Sequence, residues 1–180
     1  MKELVRAILQ NADRFEWSLQ GFGMLRLHLS DRVRVNVWDT TYRVPNVSMM
    51  HTHPWDFSST IVVGQLTNSR YALDLDGDEF NYAVIQPGPG GGKVNDKGRI
   101  RLRRLPMEIY GPGDTYEQQH AEIHLSLPAD GTVTLNDRRR VGEDRAFVFW
   151  PIGQKWVSAE PRQATKLEVS AIVGNALKRF

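Results

Sequence analysis

The sequence predicts an all-β protein, a sandwich or barrel of antiparallel strands with a short helix at each end. Three observations carry that expectation. Short runs rich in β-branched and aromatic residues recur from about residue 20 to residue 150. Several of them alternate apolar and polar residues with period two, as a half-buried strand does. Helical periodicity is confined to the two ends of the chain, and many short strands at such spacing form sandwiches or barrels.

Taken in order, Leu4, Val5, Ile8 and Leu9 stand at helical spacing and predict an amphipathic helix over residues 2–12. Strands are expected at "GFGMLRLHL" (21–29), "RVRVNVW" (32–38), "STIVVGQLTN" (59–68), "RYALDL" (70–75) and "FNYAVI" (80–85). Asp-Gly chemistry predicts hairpin turns around Gly77 in "DLDGDEF" and around Gly131 in "PADGTV". "QPGPGGGKVNDKG" (86–98) reads as a surface loop. It is not a P-loop, because Pro87 stands where that motif wants glycine and Lys93 is followed by Val94 rather than Ser or Thr. Further strands are expected at 99–105, 107–110, 121–127, 132–136 and 146–150, and "FVFWP" (147–151) reads as a buried terminal strand. Leu167, Ile172, Val173, Ala176 and Leu177 predict a closing helix over about 162–179 that packs outside the sheet despite Gly174.

With 180 residues, the chain is expected to form a single domain, residues 1–180, with its barrel over about 20–150. Hydrophobic residues make up 41% and charged residues 24%, which sets aside disordered and fibrous classes. No window approaches the roughly 18 apolar residues of a membrane helix, and the N-terminal segment is interrupted by charge, so a cytoplasmic location is expected. A net charge of +2 gives little reason to expect nucleic acid as a partner. In "KGRIRLRRL", Arg99, Arg101 and Arg103 alternate with Ile100 and Leu102 as the wet face of a strand, without the aromatics of a stacking platform. The chain has no cysteine, which excludes disulfides, thiolate ligands and cysteine nucleophiles. Any metal must be held by histidine and carboxylate.

The stretch "MMHTHPWDFSST" (49–60) concentrates the chemistry, with two of the chain's five histidines one residue apart. If it is extended, His51 and His53 point to the same face and offer half of a metal site. Imidazole suits iron, zinc, copper and nickel. "GPGDTYEQQHAEIHLSL" (111–127) offers a third ligand from His120 or His124, with Glu122 between them. If residues 120–124 are extended, those three side chains share a face.

"HTHPWDFSSTIVVG" followed by "GDTYEQQHAEIH" resembles the two sequence motifs of the cupin superfamily. The first is His-x-His, an acidic residue a few positions on, then glycine. The second is a glycine followed, after ten intervening residues, by a metal-binding histidine. Gly113 and His124 keep that spacing, and Gly64 takes the place of the glycine that ends the first motif. The resemblance implies a cupin-type antiparallel barrel, a double-stranded β-helix or jelly roll, with His51, His53 and His124 as metal ligands. The family's usual glutamate falls near Phe57 or Ser58, neither of which ligates as a carboxylate, and Asp56 is offset. A three-histidine cupin without that glutamate looks like the cysteine-dioxygenase group, which uses ferrous iron, oxygen and a small thiol. The wording "HPWDF" is similar to that of a set of uncharacterised bacterial and phage cupins.

The resemblance implies a divalent metal, iron(II) first, with zinc, manganese or nickel as alternatives. Tyr116 and His120 are candidate acid-base helpers, and His120 is equally a fourth ligand, a relay or a plain loop residue. His28 reads as structural or pocket-lining, Glu122 as solvated or as a histidine's orienting partner, and Trp55 and Phe57 as pocket wall or barrel filling. Arg26 and Arg70 read as surface charges that are also plausible carboxylate grips. Three functions are open: a mononuclear iron(II) oxygenase acting on a small molecule, a non-redox metal-dependent isomerase, lyase or hydrolase, and a non-catalytic ligand-binding protein. Edge strands lead us to expect a homodimer.

Overall fold

In the computed structural model, which describes residues 1–86, 93–140 and 145–180, helix α1 (Lys2–Gln10) and a 3₁₀ turn open the chain. There follow β1 (Ser18–Gln20), β2 (Phe22–His28), β3 (Val33–Arg43), β4 (Met50–His51), β5 (Trp55–Val63) and β6 (Leu66–Gln86). Next come β7 (Lys93–Arg104), β8 (Glu108–Tyr110), β9 (Thr115–Gln118), β10 (Ile123–Pro128), β11 (Val133–Arg140), β12 (Ala146–Pro151), β13 (Arg162–Gln163) and helix α2 (Lys166–Leu177). Seven strands form one sheet in the order β13-β1-β2-β3-β11-β5-β9. The second sheet runs β10-β4-β12-β6-β7, with β8 on β6 and a further β10–β6 pairing. Strand pairs among the described residues are antiparallel. No helix among those residues is long and apolar enough to cross a membrane.

Period-two alternation decides which side of the first sheet meets what. Leu25 and Leu27 of β2, Val35 and Val37 of β3 and Val133 of β11 share one apolar cluster with Val5 and Leu9 of α1 and with Val169, Ile172, Val173 and Ala176 of α2. The helices therefore cover the aliphatic face, where each fully buried side chain contributes about 1.5–3 kcal/mol. The intervening residues Met24, Arg26, Arg34, Asn36 and Trp38 point the other way, into a cavity shared with residues of β4 and β10 from the second sheet. The second sheet has its own cluster of Met50, Leu102 and Phe149, ringed by Tyr71, Phe80 and Tyr82.

Several sequence expectations are corrected. The run 59–68 is two strands in different sheets, because the chain turns at Gly64, whose φ is +86°. A Cβ there would lie 2.7 Å from the Cα of Thr132, on the crossing that leads back from β10 to β11. That second crossing is the expected turn around Gly131, with Thr132 N donating to the Ala129 carbonyl at 3.1 Å. It joins the two sheets and is not a hairpin.

The Asp-Gly signal at Gly77 also makes no hairpin. Leu73 and Asp78 both stand opposite Leu102 of β7, so residues 74–77 bulge out while β6 continues in the same direction. The Asp74 side chain accepts from Asp76 N at 3.0 Å, the local turn that the sequence announces. A Cβ on Gly77 would come within 2.5 Å of the Leu102 backbone, so glycine is needed where β7 crosses the bulge.

Helix boundaries move as well. α1 stops at Gln10, where Asn11 Nδ2 donates back to the Ala7 carbonyl at 2.9 Å. α2 starts at Lys166 rather than 162, since Arg162 and Gln163 pair with β1 and Thr165 caps the helix in a reciprocal box with Glu168. Residues 87–92 of the expected glycine-rich loop lie outside the described residues, whereas β7 is already paired from Lys93. The wet-face reading of β7 holds, with Arg99, Arg101 and Arg103 exposed and Leu102 buried.

Candidate metal centre

β4 is only two residues long and is inserted between β10 and β12. Its register sets His51 opposite His124 on β10 and opposite Val148 on β12. His53 lies just past the strand in a pinned connector. Thr52 N donates to the Phe147 carbonyl at 2.9 Å, Phe147 N returns a bond to Thr52 Oγ1 at 2.9 Å, and Ala121 N donates to the His53 carbonyl at 3.1 Å. The two imidazoles do lie side by side, with Nε2 atoms 3.1 Å apart, and the Nε2 of His124 is 3.0 Å from that of His53. One nitrogen from each of His51, His53 and His124 lies within 4.8 Å of the others. A separation of about 3 Å is what two nitrogens at right angles on an ion bonded at about 2.1 Å require.

Hydrogen bonds on the far side of two rings fix their tautomers. His51 Nδ1 donates to the Met49 carbonyl at 2.9 Å, and His124 Nδ1 donates to Asn68 Oδ1 at 3.0 Å. Both acceptors lack a proton to give, so each ring turns a lone pair inward at Nε2. His53 has one ring proton to share between those two acceptors, whereas a cation among three lone pairs would satisfy all of them. Burial is the main reason all three are hard to protonate. It takes His51 down to about 4, with the Met49 hydrogen bond opposing and Arg26 and Arg34 assisting. His53 is pushed well below the ordinary imidazole range by burial and then by His51 and His124. His124 is also pushed well below it, by burial and then by His51 and Arg70. Rings held neutral in this way are ready to ligate.

The centre opens on a cavity of about 220 Å³ between the sheets. Phe22 stacks on His51 at 5.4 Å between ring centroids, and the edge contact of Phe57 with His53 is 4.9 Å. Met24, Trp38, Met49 and Trp55 complete the apolar wall. Among the described residues, no Asp or Glu lines it. Neither a family model nor a curated protein sequence matches this chain. The chemistry of the centre is therefore carried by its own geometry.

The remaining candidates divide. Tyr116 on β9 lines the cavity, faces Ser59 and Ser126, and is kept protonated by burial, which raises its pKa. Tyr110 stacks on it at 4.7 Å. His120 is not at the cavity. Ala121, with φ +60°, turns the chain there, so residues 120–124 are not extended and His120, Glu122 and His124 do not share a face. His120 instead meets Asp56, whose Oδ1 accepts from the His120 backbone at 2.7 Å and lies 3.1 Å from its ring. Glu122 accepts from Gln118 Nε2 and from Gln119 N, both at 3.0 Å, and neither it nor Arg70 lines the cavity. Arg70 is occupied by Glu108 and the Glu117 carbonyl, and His28 is exposed at the end of β2.

Sequence reading missed Asn68, which orients His124, and the inward Arg34, Asn36, Ser126 and Asn136. One signal was present. In "RVRVNVW" the polar members of the alternation were as regular as the valines, and period two alone does not say which side is wet.

Proposed function

We propose that the chain is a cupin-type protein whose three histidines hold one divalent cation, iron(II) by preference, and that it oxygenates a small molecule bound beside them. One observation supports this reading above the others: three neutral imidazoles converge on a cavity whose described lining contains no carboxylate. The donor set suits the ion, since the Nε2 of His53 lies 3.1 and 3.0 Å from those of His51 and His124 and the Nδ1 protons are spoken for on two rings. An iron(II) ion there supplies oxygen and one-electron chemistry, with its charge undiminished by its ligands. The chain's own part is to orient and to wall the site. Asn68 and the Met49 carbonyl hold the rings, Phe22, Met24, Trp38 and Phe57 form the apolar part of the wall, and Tyr116 holds a proton at its hydroxyl beside the site.

Zinc, manganese or nickel fits the same donors. Tyr116 favours a second reading in that case, because a phenol held protonated beside the site is a hydrogen-bond donor for a substrate oxygen in isomerase, lyase or hydrolase chemistry without molecular oxygen. Elemental analysis of untagged protein, prepared without added metal, is the test. Near-stoichiometric iron together with oxygen uptake on small thiols and acids supports the oxygenase, and zinc or nickel supports the second reading. A folded protein that neither carries nor takes up metal overturns both and leaves a ligand-binding protein. The sheet edges at β9 and β13, unpaired among the described residues, lead us to include a homodimer in the proposal, testable by solution mass measurement.

A further inference from the structure

Two guanidiniums share this cavity without a counter-ion among the described residues. Arg26 on β2 is opposite Asn36 on β3, and Arg34 precedes Asn36 by two residues, so both arginines leave the same face as diagonal neighbours. Both line the cavity. Arg34 is only 3% exposed, and the Nε atoms of Arg26 and Arg34 are buried without a hydrogen-bond partner. Neither belongs to an ion pair among the described residues. The charged group that acts on both is another cation, Arg138 on β11, which donates to the Asp31 carbonyl and lies 4.9 Å from the centre of the Trp55 ring.

A buried guanidinium stays protonated and is unfavourable unless paired. Here two of them face one void, and the three imidazoles opposite contribute no negative charge. Their field reaches the histidines, since both arginines help to keep His51 and His53 neutral. Planar N–H forks of this kind suit oxygen anions. A dianion balances two guanidiniums, whereas a monoanion leaves one uncompensated. About 220 Å³ is below the roughly 300–1,000 Å³ of drug-sized sites, which points to a small molecule.

We infer that this wall binds the doubly charged oxyanion portion of a small ligand, a phosphate-type group or a pair of carboxylates, with Arg26 and Arg34 donating to its oxygens. The inference deepens the proposed function by naming the charge class of the substrate, and it rests on that reading only in taking the cavity as the substrate site. Anion binding itself needs no metal.

The test therefore uses the metal-free protein, dialysed against chelator. Inorganic phosphate and malonate are compared with acetate at equal ionic strength, reading melting temperature and the fluorescence of Trp38 and Trp55 in the wall. Phosphate or malonate should bind saturably, at least about tenfold tighter than acetate, and whichever of the two binds identifies the source of the oxyanion. Arg34→Met should raise the melting temperature of the ligand-free protein and abolish the anion-induced shift, because it removes an unpaired buried charge. An arginine with only a structural role would do the opposite on both counts. Arg26→Gln, at a less buried position, should weaken binding at least about tenfold and carries the test if Arg34→Met does not fold. Wild-type affinity in Arg26→Gln, or no response to either dianion, overturns the inference. Dianion binding by a protein that takes up no metal would sink the metal reading alone.

Discussion

His124 stands directly across the β10–β4 ladder from His51, and the ring of His53 bridges them at 3.1 and 3.0 Å. The ligand set is thus fixed by strand register, because a one-residue slip of β4 would turn His51 to the opposite face.

Removal of any one ring should empty the centre. His51→Ala, His53→Ala and His124→Ala are each expected to lose bound metal to background while His28→Ala, at the exposed end of β2, keeps it. Elemental analysis of the four proteins decides this, and equal metal content in all of them would sink the assignment.

Asn68 touches no ion yet sets the tautomer of His124 through the 3.0 Å bond to Nδ1. Asn68→Ala should weaken metal affinity about 10–100-fold with little change in fold. Competition against a chelator, with melting temperature as control, measures both, and wild-type affinity would remove Asn68 from the site.

The pH response follows from the lowered histidines. An imidazole whose folded pKa lies below its ordinary 6.5 binds fewer protons in the folded state, so stability rises with pH through the window between the two values. It is lost as pH falls from 6.5 toward about 4, the value set for His51. Metal retention should therefore persist just below pH 6.5 and fail only on approach to that lower value. Release with the midpoint of a free imidazole, followed by desalting at stepped pH, would contradict the buried, neutral cluster.

Gly64→Ala tests the crossing between sheets. The new methyl would meet Thr132 at a position where φ is +86°, so a loss of roughly 2 kcal/mol is expected, about 4–8 °C in melting temperature for a chain of this size. An unchanged melting curve would show that the turn relaxes freely.

Much of the sheet content and the His51–His53 pair were legible because period two and the His-x-His spacing are local signals, whereas His124 was singled out only by the resemblance to the second cupin motif. The misreadings are instructive for the same reason. Gly131 announced a turn correctly and Gly64 was read through as strand, and whether such a turn returns the chain to its own sheet or sends it to the facing one depends on partners far away in sequence. Gly77 announced a tight local bend, and only β7 crossing at Leu102 makes that bend a bulge. His120 and His124 were separated in the sequence only by the cupin-like spacing from Gly113, and the structural reason is Ala121, which breaks the extension between them. Arg34 was hidden by the habit of assigning the polar half of an alternation to water, although in this sheet the helices cover the aliphatic half.

The brevity of β4 also governs time. A strand of two residues is held by few ladder bonds, and it carries one ligand while its connector carries another. Its opening breaks fewer bonds than unfolding of either sheet, although Met50 is buried and the connector is pinned. An ion joining His51 and His53 to His124 ties this insert to β10, so loading should slow amide exchange at Met50 and His51 far more than on β3 or β11. The residence time of the ion would then follow how often the insert detaches from its neighbours, and the lifetime of the loaded state becomes a property of the backbone as much as of the three bonds.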